Sequence, residues 1–149
     1  MKKFLSLCML VALFASCGSL DQKSQSGLKG NWTISSVTYP GSDYIKVTSF
    51  DVADSKCFVG SSWSFISNNN KGTLNVAAAG CPSFSSPIVW TITKEGKFNF
   101  KITEGEKAKR VTDGYTLAIR NQTESSFQLV DNVSVGGKNV EVVYSFSKN

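Results

Sequence analysis

The segment 87–103, PIVWTITKEGKFNFKIT, decides the fold. Apolar and polar residues alternate along it on both sides of Lys94-Glu95-Gly96, which is the pattern of two half-buried strands joined by a tight turn. The apolar positions that share one face are Ile88, Trp90, Ile92, Phe98, Phe100 and Ile102. The segment therefore predicts an antiparallel hairpin with one face on a core and the other in water.

The same alternation runs through most of the chain after Gly30. It predicts eight strands, at residues 31–39, 62–67, 72–77, 87–93, 97–103, 114–120, 126–131 and 139–147. In the first strand the apolar phase shifts at Ser35-Ser36, which predicts a bulge. Eight antiparallel strands bury their common apolar face, and lose their exposed edges, by closing into a barrel. We therefore predict an all-β domain over residues 28–149, an eight-stranded antiparallel up-and-down barrel, with a two-sheet sandwich as the alternative.

The connections between the predicted strands alternate in length. Short turns are predicted at 68–71, 94–96 and 121–124, and longer loops at 40–61, 78–86, 104–113 and 132–138. In an up-and-down barrel, alternate connections lie at the same end. One end is therefore predicted to be closed by short turns, and the other to form a mouth ringed by four longer loops.

The composition narrows the functional classes. The 149 residues include no His, which excludes Ser-His-Asp triads, Cys-His dyads and metal sites built on His. The net charge of +5 includes Lys2 and Lys3 near the N-terminus, and charges of both signs are mixed along the rest, so no nucleic-acid surface is predicted. No inward acid–base pair is apparent, and we predict a protein that is not an enzyme and has no catalytic residue, metal or cofactor.

The N-terminus has the features of a secretory leader. Met1-Lys2-Lys3 is positively charged, and the apolar run at 4–14 is too short to span a bilayer comfortably. Small residues then precede Cys17, which resembles the bacterial lipobox. This resemblance implies a signal peptide at 1–16 and lipidation of Cys17; the alternative is an ordinary signal peptide cut near Ala15, with Cys17 free.

The residues after the leader predict a tether and a location. Segment 17–27 is polar and rich in Ser and Gln, which is typical of a flexible tether. Gly18, rather than Asp, follows the lipidated Cys, and by resemblance to known lipoprotein sorting this implies the outer membrane. The membrane is thus an expected partner, through the N-terminal lipid.

Two cysteines remain in the barrel domain, Cys57 and Cys81. An exported chain meets an oxidising compartment, so a disulfide is the expected state. The alternatives are a nucleophile, which wants a base and finds no His, or a metal pair, although two thiolates alone rarely make a zinc site. Both residues fall at the long-loop end, where a disulfide would hold the 40–61 loop over the mouth; a short helical turn is predicted at 51–58.

The chain resembles the lipocalins, and in particular the short bacterial lipocalin-like lipoproteins. Gly30-Asn31-Trp32 is similar to the G-x-W motif that opens their first strand, and Cys57, Trp63-Ser64-Phe65, Gly72, Cys81 and Trp90 follow in a similar order. Lys148 is the plausible match to the basic residue that packs on the motif's Trp. The family's T-D-Y motif has no counterpart at its usual place, because Thr112-Asp113-Gly114-Tyr115 precedes a strand that the motif should follow.

The resemblance implies a cup that holds a small hydrophobic molecule. The ligand-binding candidates are the inward residues assigned to the mouth, Trp63, Trp90, Ile102, Tyr115 and Tyr144; the alternative interpretation is that they are simply core. No ionisable residue is predicted on the inner face, so the ligand is predicted to be apolar. Lys107, Lys109 and Arg110 could hold an anionic head group at the rim, although Glu104 and Glu106 beside them favour a solvated loop.

A second functional class stays open. If ten inward aromatic side chains fill the barrel completely, the long loops become the working surface. The chain would then be a solid protein-interaction module, or by analogy an inhibitor, with a protein partner at the long-loop end.

Overall fold

The computed structural model describes residues 22–42, 45–105 and 113–149. Within these ranges the chain forms one short helix, ten strands and a 3-10 turn. In order they are α1 (Gln22–Gly27), β1 (Gly30–Thr38), β2 (Thr48–Ser49), β3 (Ala53–Asp54), the 3-10 turn Ser55–Phe58, β4 (Ser62–Ile66), β5 (Lys71–Val76), β6 (Phe84–Ile92), β7 (Lys97–Ile102), β8 (Tyr115–Arg120), β9 (Ser126–Val135) and β10 (Lys138–Lys148). No helix among the described residues is long and apolar enough to cross a membrane.

Eight of the strands close into an antiparallel barrel in the order β1-β10-β9-β8-β7-β6-β5-β4. The first strand closes it, since Trp32 pairs with Trp63 on β4 and Ile34 pairs with Phe146 on β10. Every strand of the barrel therefore has two partners, which confirms the predicted up-and-down barrel and excludes the sandwich. The register shift between Ile34 and Ser36 confirms the bulge predicted in the first strand.

The barrel interior is filled with aromatic rings. Along β5 the residues alternate between exposed and buried, and buried residues from all eight strands join one core. Trp32 packs edge-on against Phe127 with ring centroids 4.7 Å apart, and Phe127 stacks on Phe146 at 4.5 Å. A barrel of eight strands is just wide enough to be filled in this way, so the part of the interior at the short-turn end is solid.

The short-turn end is sealed by α1. Gln25 is 4% exposed; its side-chain amide donates to the Ser67 carbonyl, and its carbonyl oxygen accepts from the Ile92 amide, both at 3.4 Å. Leu28 is fully buried, and its carbonyl accepts from Nε1 of Trp32 at 2.8 Å. The predicted flexible tether at 17–27 thus differs from the structure over residues 22–27, because polar side chains bond the barrel floor there.

Lys148 lies over the Trp of the G-x-W motif. Its Nζ is 5.5 Å from the centroid of the Trp32 ring, within the range of a cation–π contact. Gly30 makes room for this contact: it has a φ of +125°, and a Cβ there would lie 3.4 Å from Cε of Lys148. The position assigned to Lys148 from the sequence is confirmed.

One predicted loop is wrong. The segment 132–138 was expected to be a longer connection, but β9 and β10 continue through it to the tight turn at Gly136-Gly137, where both residues have positive φ. Val133 and Val135 extend the inward pattern and pack on the core, which explains the longer strands. The three longer connections, between β1 and β4, between β5 and β6, and between β7 and β8, therefore start and end at the mouth.

The disulfide between Cys57 and Cys81 is present, with their Cα atoms 5.8 Å apart. It joins the 3-10 turn at Ser55–Phe58 to the connection between β5 and β6, at the mouth. The predicted helical turn at 51–58 is present in its second half only, since residues 51–54 form a tight turn and β3.

Removing the disulfide is expected to destabilise the fold. The bond spans 24 residues, and the chain-entropy model gives about 3–4 kcal/mol for a loop of that length. Denaturant unfolding of the double variant Cys57→Ser/Cys81→Ser measures the loss. Reduced wild-type protein serves as the control and should unfold at the same midpoint; a double variant as stable as the oxidised protein would contradict the prediction.

Candidate functional site

The connection between β1 and β4 folds over the mouth. Within it β2 and β3 pair as a miniature hairpin, in which the Val52 amide donates to the Ser49 carbonyl at 3.0 Å. The two central residues of this turn, Phe50 and Asp51, have φ of 55° and 54°. Positive φ at both central positions is the geometry of a type I′ turn.

Phe50 is an unusual residue for this turn. Type I′ turns favour Asn, Asp and Gly, and a bulky side chain in the left-handed region is an outlier. A residue held there costs about 1–3 kcal/mol and persists only where other contacts compensate for it. Contacts with the rest of the protein therefore have to hold Phe50 in this conformation.

The ring of Phe50 fills the mouth of the barrel. It is 5% exposed and lies among five other aromatic rings. We call these five rings the aromatic cup; their centroids lie 5.0 to 6.3 Å from that of Phe50, and they belong to Phe58, Trp63, Phe100, Tyr115 and Tyr144. Burying a Phe contributes about 1.5–3 kcal/mol, which is similar to the strain of the turn, so the two effects nearly offset each other.

Hydrogen bonds hold the edges of the segment 45–56, which we call the lid. Oη of Tyr115 donates to Oδ2 of Asp51 at 3.2 Å, and the hydroxyls of Ser49 and Tyr144 are 2.5 Å apart. Burial is the main cause that raises the pKa of both tyrosines above the ordinary value, so both hydroxyls keep their protons.

The base of the lid is held by a second set of contacts. Tyr39 and Ser55 share a hydrogen bond between their hydroxyls. The Lys56 ammonium donates to the Val37 carbonyl at 2.7 Å and lies 4.8 Å from the centroid of the Tyr39 ring. Lys56, one of the two lysines of the lid, is thus directed to the backbone of β1 and the ring of Tyr39.

The structure brings together most of the predicted ligand-binding residues. Trp63, Tyr115 and Tyr144 form walls of the aromatic cup. Ile102, which is 2% exposed, ends β7 at the same end of the barrel.

Trp90 is a correction, because it lies at the opposite end. Its Nε1 donates to the Lys71 carbonyl at 2.8 Å, and its ring lies 5.1 Å from that of Phe65. β6 starts at the mouth with Phe84 and runs away from it, so Trp90 is close to the short turn at 93–96.

An inward carboxylate was missed by the sequence analysis. Asp131 pairs with the fully buried Val142, and residues paired in this way lie on the same face of the sheet, so its side chain faces the interior. Leu129 and Val133, two residues before and after it, also contact the core. The expectation of an inner face without ionisable groups is therefore wrong, since Asp131 ends the predicted strand 126–131 on the same face as Phe127 and Leu129.

Asp131 lies in an apolar wall without a cationic partner among the described residues. The ion pair among the described residues joins Arg120 and Glu141 on the outer face of the barrel, with 2.7 Å between Nη2 and Oε1. Burial raises the pKa of Asp131, and a hydrogen bond from the Asn132 amide opposes this in part. Its cross-strand partner Val142 lies two residues before Tyr144 on the same face of β10, so the carboxylate is on the side of the aromatic cup. It also helps to raise the pKa values of Tyr115 and Tyr144.

The remaining candidates lie outside the described residues. They are Lys107, Lys109 and Arg110 of the predicted rim and Cys17 of the predicted lipidation site. In the described part of the chain no group of three or more Cys, Asp or Glu side chains is placed to hold a metal ion.

Comparison with known proteins gives structural similarity only. No family model matches the chain, and no curated protein matches its sequence. A complex of bovine odorant-binding protein with a selenium-containing odorant is 11% identical, with 84% of this chain and 72% of that chain covered and a TM-score of 0.46. For an uncharacterized protein from Bacteroides eggerthii the identity is 11%, the coverage 82% and 99%, and the TM-score 0.49. For the odorant-binding protein OBP1 the values are 11%, 89% and 76%, and 0.48.

The barrel is lipocalin-like. This conclusion rests on the closed order of eight up-and-down antiparallel strands and on the Trp of the G-x-W motif, which packs at the closed end under Lys148. The resemblance seen in the sequence is confirmed at the level of the fold. The lipocalin-like barrel differs from an open cup in that its mouth is occupied by its own Phe50.

Neutralising Asp131 is expected to stabilise the protein at neutral pH. The pKa of Asp131 is higher in the folded state than in the unfolded chain, so the folded state loses stability as the pH rises through the range between these two values. Asp131→Asn removes this loss. The free energy of unfolding of the variant should exceed that of the wild type at pH 7, and the difference should shrink as the pH falls to the unfolded value.

Glu95→Gln is the matched control for this measurement, because Glu95 is exposed in the short turn after β6. Its difference from the wild type should be small at every pH. A variant Asp131→Asn that is less stable than the wild type at pH 7 would show that the carboxylate has a stabilising partner.

Proposed function

We propose that the protein binds one small hydrophobic molecule at the barrel mouth, in the place that the ring of Phe50 occupies in the closed form, and that lipid on Cys17 tethers it to a membrane. The observation that carries the binding proposal is the position of Phe50. An apolar side chain at the tip of a strained turn fills a space with five aromatic walls, as a bound ligand would.

The energies favour replacement of Phe50 by a ligand. An incoming molecule can make the contacts of the Phe50 ring with the aromatic cup, while the turn relaxes from its left-handed conformation. The strain of Phe50 is about 1–3 kcal/mol and its burial contributes about 1.5–3 kcal/mol, so the closed form holds only a modest advantage. Trp32, Phe65 and Phe127 fill the floor below, which limits the ligand to a small molecule.

The lid has the means to move as a unit. Gly41 and Gly60 flank it, both with positive φ and with open space around them. The disulfide fixes the chain at Cys57, directly after the lid, so the proposed movement is confined to the lid before this bond. Opening breaks the hydrogen bonds from the lid to Tyr115 and Tyr144, and leaves both hydroxyls in the mouth for a ligand.

The proposed anchor suits a mouth that faces outward. The leader at 1–16, the Cys17 that follows it and the Gly18 after that support a lipoprotein of the outer membrane. The chain enters the barrel through α1 at the short-turn end, where Gln25 bonds the floor. The membrane would then lie at the closed end, and the mouth would point away from it.

A protein-interaction module is the second candidate. It is supported by the filled interior, since in the closed form Trp63, Tyr144 and Phe50 are at most 5% exposed and leave the loops as the accessible part of this end. The two candidates differ in whether Phe50 leaves the mouth.

Replacing Phe50 is expected to increase affinity for an apolar probe. Phe50→Asn removes the ring and suits the turn, because Asn tolerates positive φ. A closed form favoured by about 1–2 kcal/mol lowers the apparent affinity about tenfold, and the variant removes that competition. Fluorescence titration with N-phenylnaphthylamine measures the dissociation constant.

Ile66→Asn is the control, since Ile66 is 42% exposed at the short-turn end and lies far from the mouth. Its affinity should equal that of the wild type. If neither the wild type nor Phe50→Asn binds the probe, the internal site is excluded and the interaction module becomes the better account.

Removing the sulfur of Cys17 is expected to release the protein from membranes. Cys17→Ser has no thiol to accept lipid, and stable anchoring depends on attached acyl chains. Immunoblots of membrane and soluble fractions should show the shift. Cys8→Ser, within the apolar run of the leader, is the matched control and should stay in the membrane fraction; an unchanged distribution of Cys17→Ser would contradict the anchor.

A further inference from the structure

The aromatic cup and an inward carboxylate occur at the same end of the barrel. We propose that the natural ligand is a hydrophobic amine, with its apolar body in the aromatic cup and its protonated amino group at Asp131. The inference rests on the proposed binding function and names the chemical class of the ligand.

The first argument is the position of Asp131. Its cross-strand neighbour on β10 is Val142, which is fully buried. On β9, the residues before and after Asp131 on the same face are the apolar Leu129 and Val133. A carboxylate in such a wall is unfavourable unless it is paired. Within the described ranges its partner is the Asn132 amide, which leaves it without a positive charge.

The second argument is the aromatic cup itself. A cation is attracted to the faces of Trp, Tyr and Phe rings, and pockets formed by several such rings recognise ammonium groups. Phe50 shows that the space accepts a benzyl group, with ring centroids 5.0 Å away at Phe100 and 5.1 Å away at Tyr115. A molecule with a phenyl group and an ammonium group uses both features, the rings for its body and the carboxylate for its charge.

The third argument concerns the described residues and weighs against an acidic ligand at Asp131. On the side of Asp131, β8 carries Tyr115 and β10 carries Tyr144, and both hydroxyls keep their protons. Lys138 shares this face of β10, but it is exposed at the tip of the hairpin, and no ion pair joins it to Asp131 among the described residues. Lys56 is bonded to the Val37 carbonyl. A negative head group beside Asp131 would meet like charge at short range.

The test compares three probes that share a phenyl group and differ in charge: phenethylamine, phenethyl alcohol and phenylacetate. Each probe competes at pH 7 with the fluorophore N-phenylnaphthylamine for the binding site. The protein is expressed as the full chain and exported, so that Cys57 and Cys81 form their disulfide. The proteins are Phe50→Asn, which opens the mouth, and the double variants Phe50→Asn/Asp131→Asn and Phe50→Asn/Glu95→Gln. The last is the control, because Glu95 is an exposed carboxylate at the opposite end.

The amine should bind Phe50→Asn about tenfold more tightly than the alcohol, since hydrogen bonds to charged groups are the stronger ones, and the acid should bind more weakly than the alcohol. Asp131→Asn should abolish the preference for the amine and leave the affinity for the alcohol unchanged. Glu95→Gln should keep the preference.

The outcomes separate the two proposals. If the alcohol binds but the amine is not preferred, or if the preference survives Asp131→Asn, the amine ligand is excluded while the binding site stands. If the alcohol and the amine both fail to displace the fluorophore, and direct titration detects no binding of the fluorophore, the proposed function itself is overturned.

Discussion

A closed barrel of eight strands has an interior just wide enough for side chains, and the chain has to fill it along its whole length. Strand residues do this from the floor upward, with Trp32 edge-on against Phe127 and Phe127 stacked on Phe146. At the mouth the strands end in three longer connections, and the strand residues form the walls without filling the centre. The ring of Phe50, from the lid, fills that space, so its position follows from the same requirement that packs the floor.

The sequence predicted the barrel well because the barrel depends on local patterns. Period-two alternation found all eight strands, and the shift at Ser35-Ser36 found the bulge, since both are properties of consecutive residues. The end of a strand depends on what it packs against, and so β9 and β10 were predicted too short. Asp131, the last residue of the predicted strand, already shares the parity of Phe127 and Leu129, and its pairing with Val142 in the longer strand fixes its inward position.

The contents of the mouth were harder to predict. Trp63, Tyr115 and Tyr144 were placed correctly because their strands have a known direction, whereas Trp90 was placed at the wrong end of β6. Phe50 carried no signal, since a Phe-Asp pair does not indicate a type I′ turn. Its conformation is imposed by the aromatic rings around it, which come from distant parts of the chain. Places where tertiary contacts overrule local preference are often functional.

The mouth divides into a fixed part and a movable part, and the disulfide sets the boundary. Phe58 directly follows the bonded Cys57, so its ring stays in the wall of the aromatic cup with the rings of the strands. Phe50 lies on the free side of the bond, between Gly41 and Cys57. In the proposed open form the aromatic cup would therefore keep its shape, and only the ring that blocks it would be displaced. A preformed wall reduces the ordering that a ligand must impose, which suits the proposal of a small molecule with few contacts.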